Sequence, residues 1–248
     1  MSSTATLLST STPKAIFVNL DVGFFDPDYP IQQTLSILRD QSQVLTKRSL
    51  LELVTAYKTI QDQPNDKKNS TDEAVEAEKI QKFHHLLDLP APTPDASKDF
   101  CNTYQTVYNE NRLVVEKTLL VLRQNDYKIV IIVKGKGDAH MAKINAIGIL
   151  PLVDRVITSA EAEQFKKDYS VFQYAVEELG IRSWEAFMVG GSLEGDVQGA
   201  LSVELKPILY MPTHRDSHYF LGNLPIPVIQ DLNQLLEFLL NGSSPPEK

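Results

Sequence analysis

The chain has 248 residues, a formal net charge of −8, 42% hydrophobic and 23% charged residues, and a single cysteine. Such a balance suits a soluble globular protein with a sizeable core, and the acidic surplus without any basic cluster excludes a general nucleic-acid binder. The lone Cys101 rules out an intramolecular disulfide and a cysteine-based metal site, which points to a reducing compartment and a cytoplasmic protein.

Residues 1–13 are Ser/Thr-rich, lack the basic and apolar regions of a secretory signal, and read as a flexible tail. The stretch Ala15-Ile16-Phe17-Val18 is apolar and of strand length. It carries Asn19 and Asp21 to its C-terminal end on one face, after which Gly23 lets the backbone turn. Pro27 and Pro30 break the chain, and Ile31, Leu35 and Leu38 then recur at helical spacing. A second helical pattern runs through Leu50, Leu53, Val54 and Tyr57, a polar loop spans 61–72, and a third helix holds Val75, Ile80, Phe83 and Leu87. Pro90, Pro92 and Pro94 form a linker, and residues 99–109 read as a short helix. Residues 27–110 are therefore a helical insert.

From Asn111 helices alternate with strands. Helices are expected over 113–123, 139–146 (capped by Asp138), 168–179, 194–201 and 232–240, and strands over 128–133, 155–157, 186–189, 207–210 and 226–229. This order predicts an α/β fold with a parallel sheet flanked by helices. Residues 241–248, NGSSPPEK, read as a second flexible tail. His214 and His218 are four apart, a spacing that metal sites use on helices. They follow Pro212 without helical periodicity, which favours an exposed loop. No apolar run approaches the roughly 20 residues of a membrane span, so no membrane partner is expected.

The stretch from Phe17 to Gly23 resembles the first motif of the haloacid-dehalogenase (HAD) superfamily, apolar-apolar-Asp-x-Asp-Gly-Thr-apolar. Three later stretches match the remaining motifs in order, so the resemblance covers about 14–240. It implies a Rossmann-like HAD core from 14–26 and 111–240 and a helical cap from 27–110. In the family, the leading Asp attacks phosphorus and the second Asp is the acid/base. Here Asn19 stands in the first place and Asp21 in the second, and an amide is a very poor nucleophile. A register shifted by two would make Asp21 the leading residue but leave no second Asp. At the second motif, Val133 replaces the phosphoryl-binding hydroxyl, while Lys134, Gly135 and Lys136 still offer charge and backbone N–H groups to an anion or, alternatively, face solvent. At the third, Lys166 matches the family lysine, with Asp168 and Phe172 kept. At the fourth, Gly190-Gly191-Ser192-Leu193-Glu194-Gly195-Asp196, the metal-ligand Asp has become Gly191, while Asp196 remains as a carboxylate or helix cap.

These losses predict a pseudo-phosphatase leaning away from catalysis. Its expected role is to bind a phosphorylated or carboxylated small molecule through Asn19, Asp21, Lys134, Gly135, Lys166 and Ser192, or to engage a protein partner. No cofactor is expected in that reading. Mg2+, with Asp21 and Asp196 as weak candidate ligands, belongs to the alternative of an active hydrolase in which Asp21 and Lys166 are catalytic.

Overall fold

In the computed structural model, the described residues are 15–20, 28–61, 72–135, 141, 144–145, 148–167, 170–212 and 214–241. The predicted tail 1–13, Asp21, most of the 61–72 loop and most of the 139–146 helix lie outside them, as does the 241–248 tail beyond Asn241. Among the described residues, 28–113 form one compact unit and 15–20 with 114–241 form another.

The larger unit is built on one sheet of seven strands among the described residues, in the order β3-β2-β1-β4-β5-β7-β6. The strands are β1 (Ala15–Asn19), β2 (Lys128–Val133), β3 (Arg155–Thr158), β4 (Ala186–Gly190), β5 (Lys206–Tyr210), β6 (His218–Leu221) and β7 (Leu224–Ile229). Six run parallel and β6 pairs antiparallel with β7. β1 lies between β2 and β4, and its five residues are all buried. Because side chains alternate, Ile16, Val18 and Leu20 pack into one cluster with Val115, Leu119, Leu122, Ile129 and Ile131. Ala15 and Phe17 pack on the other face with Val130, Phe172, Ala175 and Met188. Covering on both faces is what an apolar parallel strand needs.

The smaller unit is helical: α1 (Tyr29–Gln41), α2 (Leu50–Gln61), α3 (Asp72–Leu86) and the first part of α4 (Ala96–Gln124). Its core joins Ile31, Leu35, Leu53, Tyr57, Ile60, Ile80, Phe83 and Phe100. Tyr57 stacks on Phe100 at 4.8 Å and meets Phe83 edge-on at 6.1 Å. The Tyr57 hydroxyl donates to Glu76 Oε1 at 2.7 Å, and Lys79 Nζ lies 3.4 Å from Glu76 Oε2. Burial, and then the Glu76 carboxylate, push the Tyr57 phenol well above its ordinary value.

Four features differ from the expected elements. The two helices expected over 99–109 and 113–123 are one, α4, because no Gly or Pro interrupts the hydrogen-bond ladder between Ala96 and Gln124. A further helix, α5 (Ser159–Phe165), follows β3, started by a reciprocal cap between Thr158 and Glu161. The expected 168–179 helix is α6 (Val171–Leu179), capped by Ser170 and closed by Gly180 at φ +60°. Residues 214–217 carry no helix or strand, as the loop reading expects, whereas His218 begins strand β6, with Tyr219 and Leu221 packed against Val197, Leu209, Ile226 and Val228. The last helix is α7 (Leu232–Asn241). Among the described residues no helix is long and apolar enough to cross a membrane.

Candidate active site

Asn19 is the last residue of β1, on the face of Ala15 and Phe17, and is 7% exposed. Open α/β sheets gather ligands beyond the carboxyl ends of their strands. β4, the neighbour of β1, ends at Gly190, and the chain then winds as a π-helix, Leu193–Gln198. The Asp196 and Val197 amides both donate to the Ser192 carbonyl at 3.0 Å, and the Gly195 amide donates to Ser192 Oγ at 3.0 Å. The wider winding delivers Asp196 to the end of β1. There Asn19 Nδ2 donates to Asp196 Oδ1 at 2.9 Å and to Oδ2 at 3.1 Å, and the Ser192 amide donates to Oδ2 at 3.0 Å.

Two glycines permit this approach. A Cβ on Gly190 would stand 2.1 Å from Asp196 Cβ, and one on Gly195 would stand 2.4 Å from Lys134 Nζ. The Lys134 ammonium thus reaches the same turn from the end of β2. Gly135 follows at φ +89°, a backbone conformation that suits glycine, and its amide donates to Ser159 Oγ at 2.8 Å.

Asn19, Ser192 and Asp196 therefore come together, with Lys134 against them. Gly135 is exposed at the edge of this group. Lys166 is an exposed C-cap residue of α5, its amide bonded to the Ala162 carbonyl. Asp21 lies outside the described residues. Sequence reasoning did not single out Gly190, Gly195 or Ser159 as site residues. The two glycines were visible as turn formers, whereas nothing in the sequence marked the Ser159 hydroxyl. Phe172 packs on Gly199, where a Cβ would meet its ring at 2.6 Å. His214 Nε2 contacts the His218 carbonyl at 3.3 Å, and no group of three His, Cys, Asp or Glu among the described residues is arranged to hold a metal.

Asp196 is 2% exposed, and the groups that bond its carboxylate are neutral. A buried carboxylate held only by dipoles is costly, and a cation beside it would offset that cost. Asp196 Oδ1 accepts one described hydrogen bond and so retains capacity for a hard cation such as magnesium, although among the described residues it stands in no group of three metal-ligating side chains.

A family model described as haloacid dehalogenase-like hydrolase matches residues 51–209, a span that begins beyond β1. Ribulose-1,5-bisphosphate 5-phosphatase of Halopiger xanaduensis is 30% identical over 152 residues, which are 59% of this chain and 64% of the relative. Glyceraldehyde 3-phosphate phosphatase of Methanothermobacter thermautotrophicus is 29% identical over 126 residues, 49% of this chain and 55% of the relative. The chain thus spans between half and two thirds of the length of these curated relatives. Among solved structures, the HAD-hydrolase YfnB of Bacillus subtilis matches with a TM-score of 0.51 at 15% identity, covering 93% of this chain and 100% of that one, which shows the shared fold.

Two expectations are corrected by these findings. The lean away from catalysis is overturned by relatives that are phosphatases, which favour the alternative of an active hydrolase over the pseudo-phosphatase reading. The expectation of no cofactor is overturned by the YfnB structure, which was solved with magnesium bound. The first expectation rested on the absence of carboxylates at 19 and 191, where the chain has Asn19 and Gly191. With a Rossmann-like sheet, a helical insertion and a family match over 51–209, the chain belongs to the haloacid dehalogenase-like hydrolases.

Proposed function

We propose that the chain hydrolyses small phosphorylated metabolites, turning a phosphate monoester and water into an alcohol and inorganic phosphate, with magnesium as cofactor. The observation that carries this reading is the buried Asp196 carboxylate at the end of β1 and β4, with the Lys134 ammonium packed against the same turn. An acidic and a basic residue at one strand-end turn suit a ligand that combines a metal ion with a phosphoryl group. The phosphatase relatives support the same class of substrate.

In this proposal Lys134 and Ser192 hold the phosphoryl oxygens, with Lys166 adding positive charge and the Gly135 turn framing the pocket. Asp21, matched to the acid/base position by sequence, protonates the leaving oxygen. Asp196 and Asp21 would hold magnesium, which when bound neutralises charge on the phosphoryl oxygens. Asn19 is a binding residue here and no nucleophile, because its amide nitrogen is both delocalised and committed to Asp196.

The test is turnover of a panel of sugar phosphates and other phosphate esters with magnesium. Hydrolysis is expected, falling about 10²-fold or more in Lys166→Ala and in Asp21→Ala. Failure of the intact protein to release phosphate from any ester at any magnesium concentration would overturn the reading.

A further inference from the structure

We propose that the helical unit carries a binding site of its own, a polar cavity among α1, α2, α3 and α4 that takes a neutral, hydroxyl-rich small molecule such as a sugar or polyol. The inference stands apart from the phosphohydrolase reading, since neither a phosphoryl group nor magnesium enters it. The cavity measures about 290 Å³, and all its lining residues lie within 28–113. That is the lower end of the roughly 300–1,000 Å³ of small-molecule sites, which suits a monosaccharide and is small for a nucleotide.

The chemistry of the lining selects the ligand. Glu76 and Lys79 both line the cavity and stand 3.4 Å apart, so their charges offset each other and a net charge on the ligand gains little. Their hydrogen-bonding capacity is not exhausted by internal contacts. Glu76 accepts from the Tyr57 hydroxyl at Oε1 and from Lys79 at Oε2, and Lys79 thereby spends one of its three N–H groups. Tyr104 and Gln105 line the same cavity from α4, and Gln61 lines it from the end of α2. The Tyr104 hydroxyl has no hydrogen-bond partner among the described residues, yet it is open, unlike the enclosed Thr34 hydroxyl. Burial, then Tyr108, then the Glu76 and Asp28 carboxylates push the Tyr104 phenol above its ordinary value, which places it within the field of the Glu76 charge. Gln105 donates Nε2 to Asn109 at 3.2 Å and keeps Oε1 as an acceptor, and the exposed Gln61 amide has no partner among the described residues.

Donors and acceptors are thus interleaved around one space. A phosphate or carboxylate ligand chiefly accepts and an ammonium only donates, whereas each hydroxyl does both, so a run of hydroxyls satisfies this lining best. Ile31 and the rings of Phe100 and Tyr104, 10° from parallel with centroids 6.3 Å apart, add the apolar part that suits the C–H face of a sugar.

The experiment is saturation-transfer NMR on the full chain with D-ribose, D-glucose and D-sorbitol, each in buffer free of phosphate and magnesium. Saturable binding of at least one is expected, with amide-exchange protection in 57–61, 76–79 and 100–105 and no displacement by inorganic phosphate. Tyr104→Phe keeps the ring and removes a hydroxyl that holds no bond in the fold; binding is expected to weaken about tenfold with an unchanged unfolding midpoint. Failure of all three probes to bind, binding that Tyr104→Phe leaves unchanged, or displacement by inorganic phosphate overturns the inference. None of these outcomes touches the phosphohydrolase reading, which is judged by turnover alone.

Discussion

Each unit of the molecule encloses a carboxylate, Glu76 in part and Asp196 almost wholly, and they do so by opposite means. In the helical unit, Glu76 is met by a phenol and an ammonium, and its side chain is 14% exposed. In the sheet unit, Asp196 is almost wholly enclosed and is met by an amide and a backbone N–H. Glu76 is matched in charge by its own neighbours, as a group that stabilises packing should be. The groups that bond Asp196 are neutral, and the Lys134 ammonium stands against the neighbouring Gly195. The difference separates a carboxylate paired with an ammonium from one held by neutral donors, which is the property the proposed function uses.

The contrast can be broken most forcefully at Asn19. Replacing it in Asn19→Leu leaves a buried charge short of its amide donor, and a loss of about 3 kcal/mol is expected in urea unfolding, with an unchanged slope. Gly190→Ala should cost about 2 kcal/mol by the same measurement, because the added methyl overlaps Asp196 Cβ and the packed strand end cannot yield. In the helical unit, Tyr57→Phe removes one hydrogen bond to a carboxylate that keeps Lys79, and about 1 kcal/mol is expected.

Smaller effects follow from titration. The Tyr57 phenol sits above its ordinary value of 10.0, so its contribution is complete below that pH and is lost as pH rises beyond it. Alkaline unfolding monitored by helical circular dichroism should therefore be shallower in Tyr57→Phe. At the start of α2 the sign reverses. The Ser49 amide, then its hydroxyl, hold the Glu52 carboxyl below 4.5, so that contribution is present above this value and fades as pH falls. Ser49→Ala should flatten the acid limb by an amount near the limit of detection, since Glu52 is exposed.

Strands β1, β2, β4 and β5 were legible because an apolar run between breakers has few other uses. Strand β6 was hidden: its sequence His-Tyr-Phe-Leu follows a polar run with Arg215 and Asp216, and its partner β7, expected over 226–229, extends back past Pro225 to Leu224, where a proline argues against a strand. The split of α4 came from the polar Asn109-Glu110-Asn111, which changes composition without breaking a helix. At the site, sequence order brought Asn19, Ser192 and Asp196 into one list, but 177 positions separate the amide from the carboxylate it binds. Their direct bond is a product of strand order, which no spacing within the chain reveals.

The π-winding of residues 193–198 makes the site sensitive to arithmetic as well as chemistry. A turn of this kind carries one residue more than an α-turn, and each residue advances an α-helix by roughly 100°. Removing a single residue between Ser192 and Asp196 would keep every side chain named here yet swing the carboxylate away from β1. A change of length in this turn is thus a more drastic event than most changes of identity, and a length polymorphism here would mark a protein whose strand end no longer faces its acid.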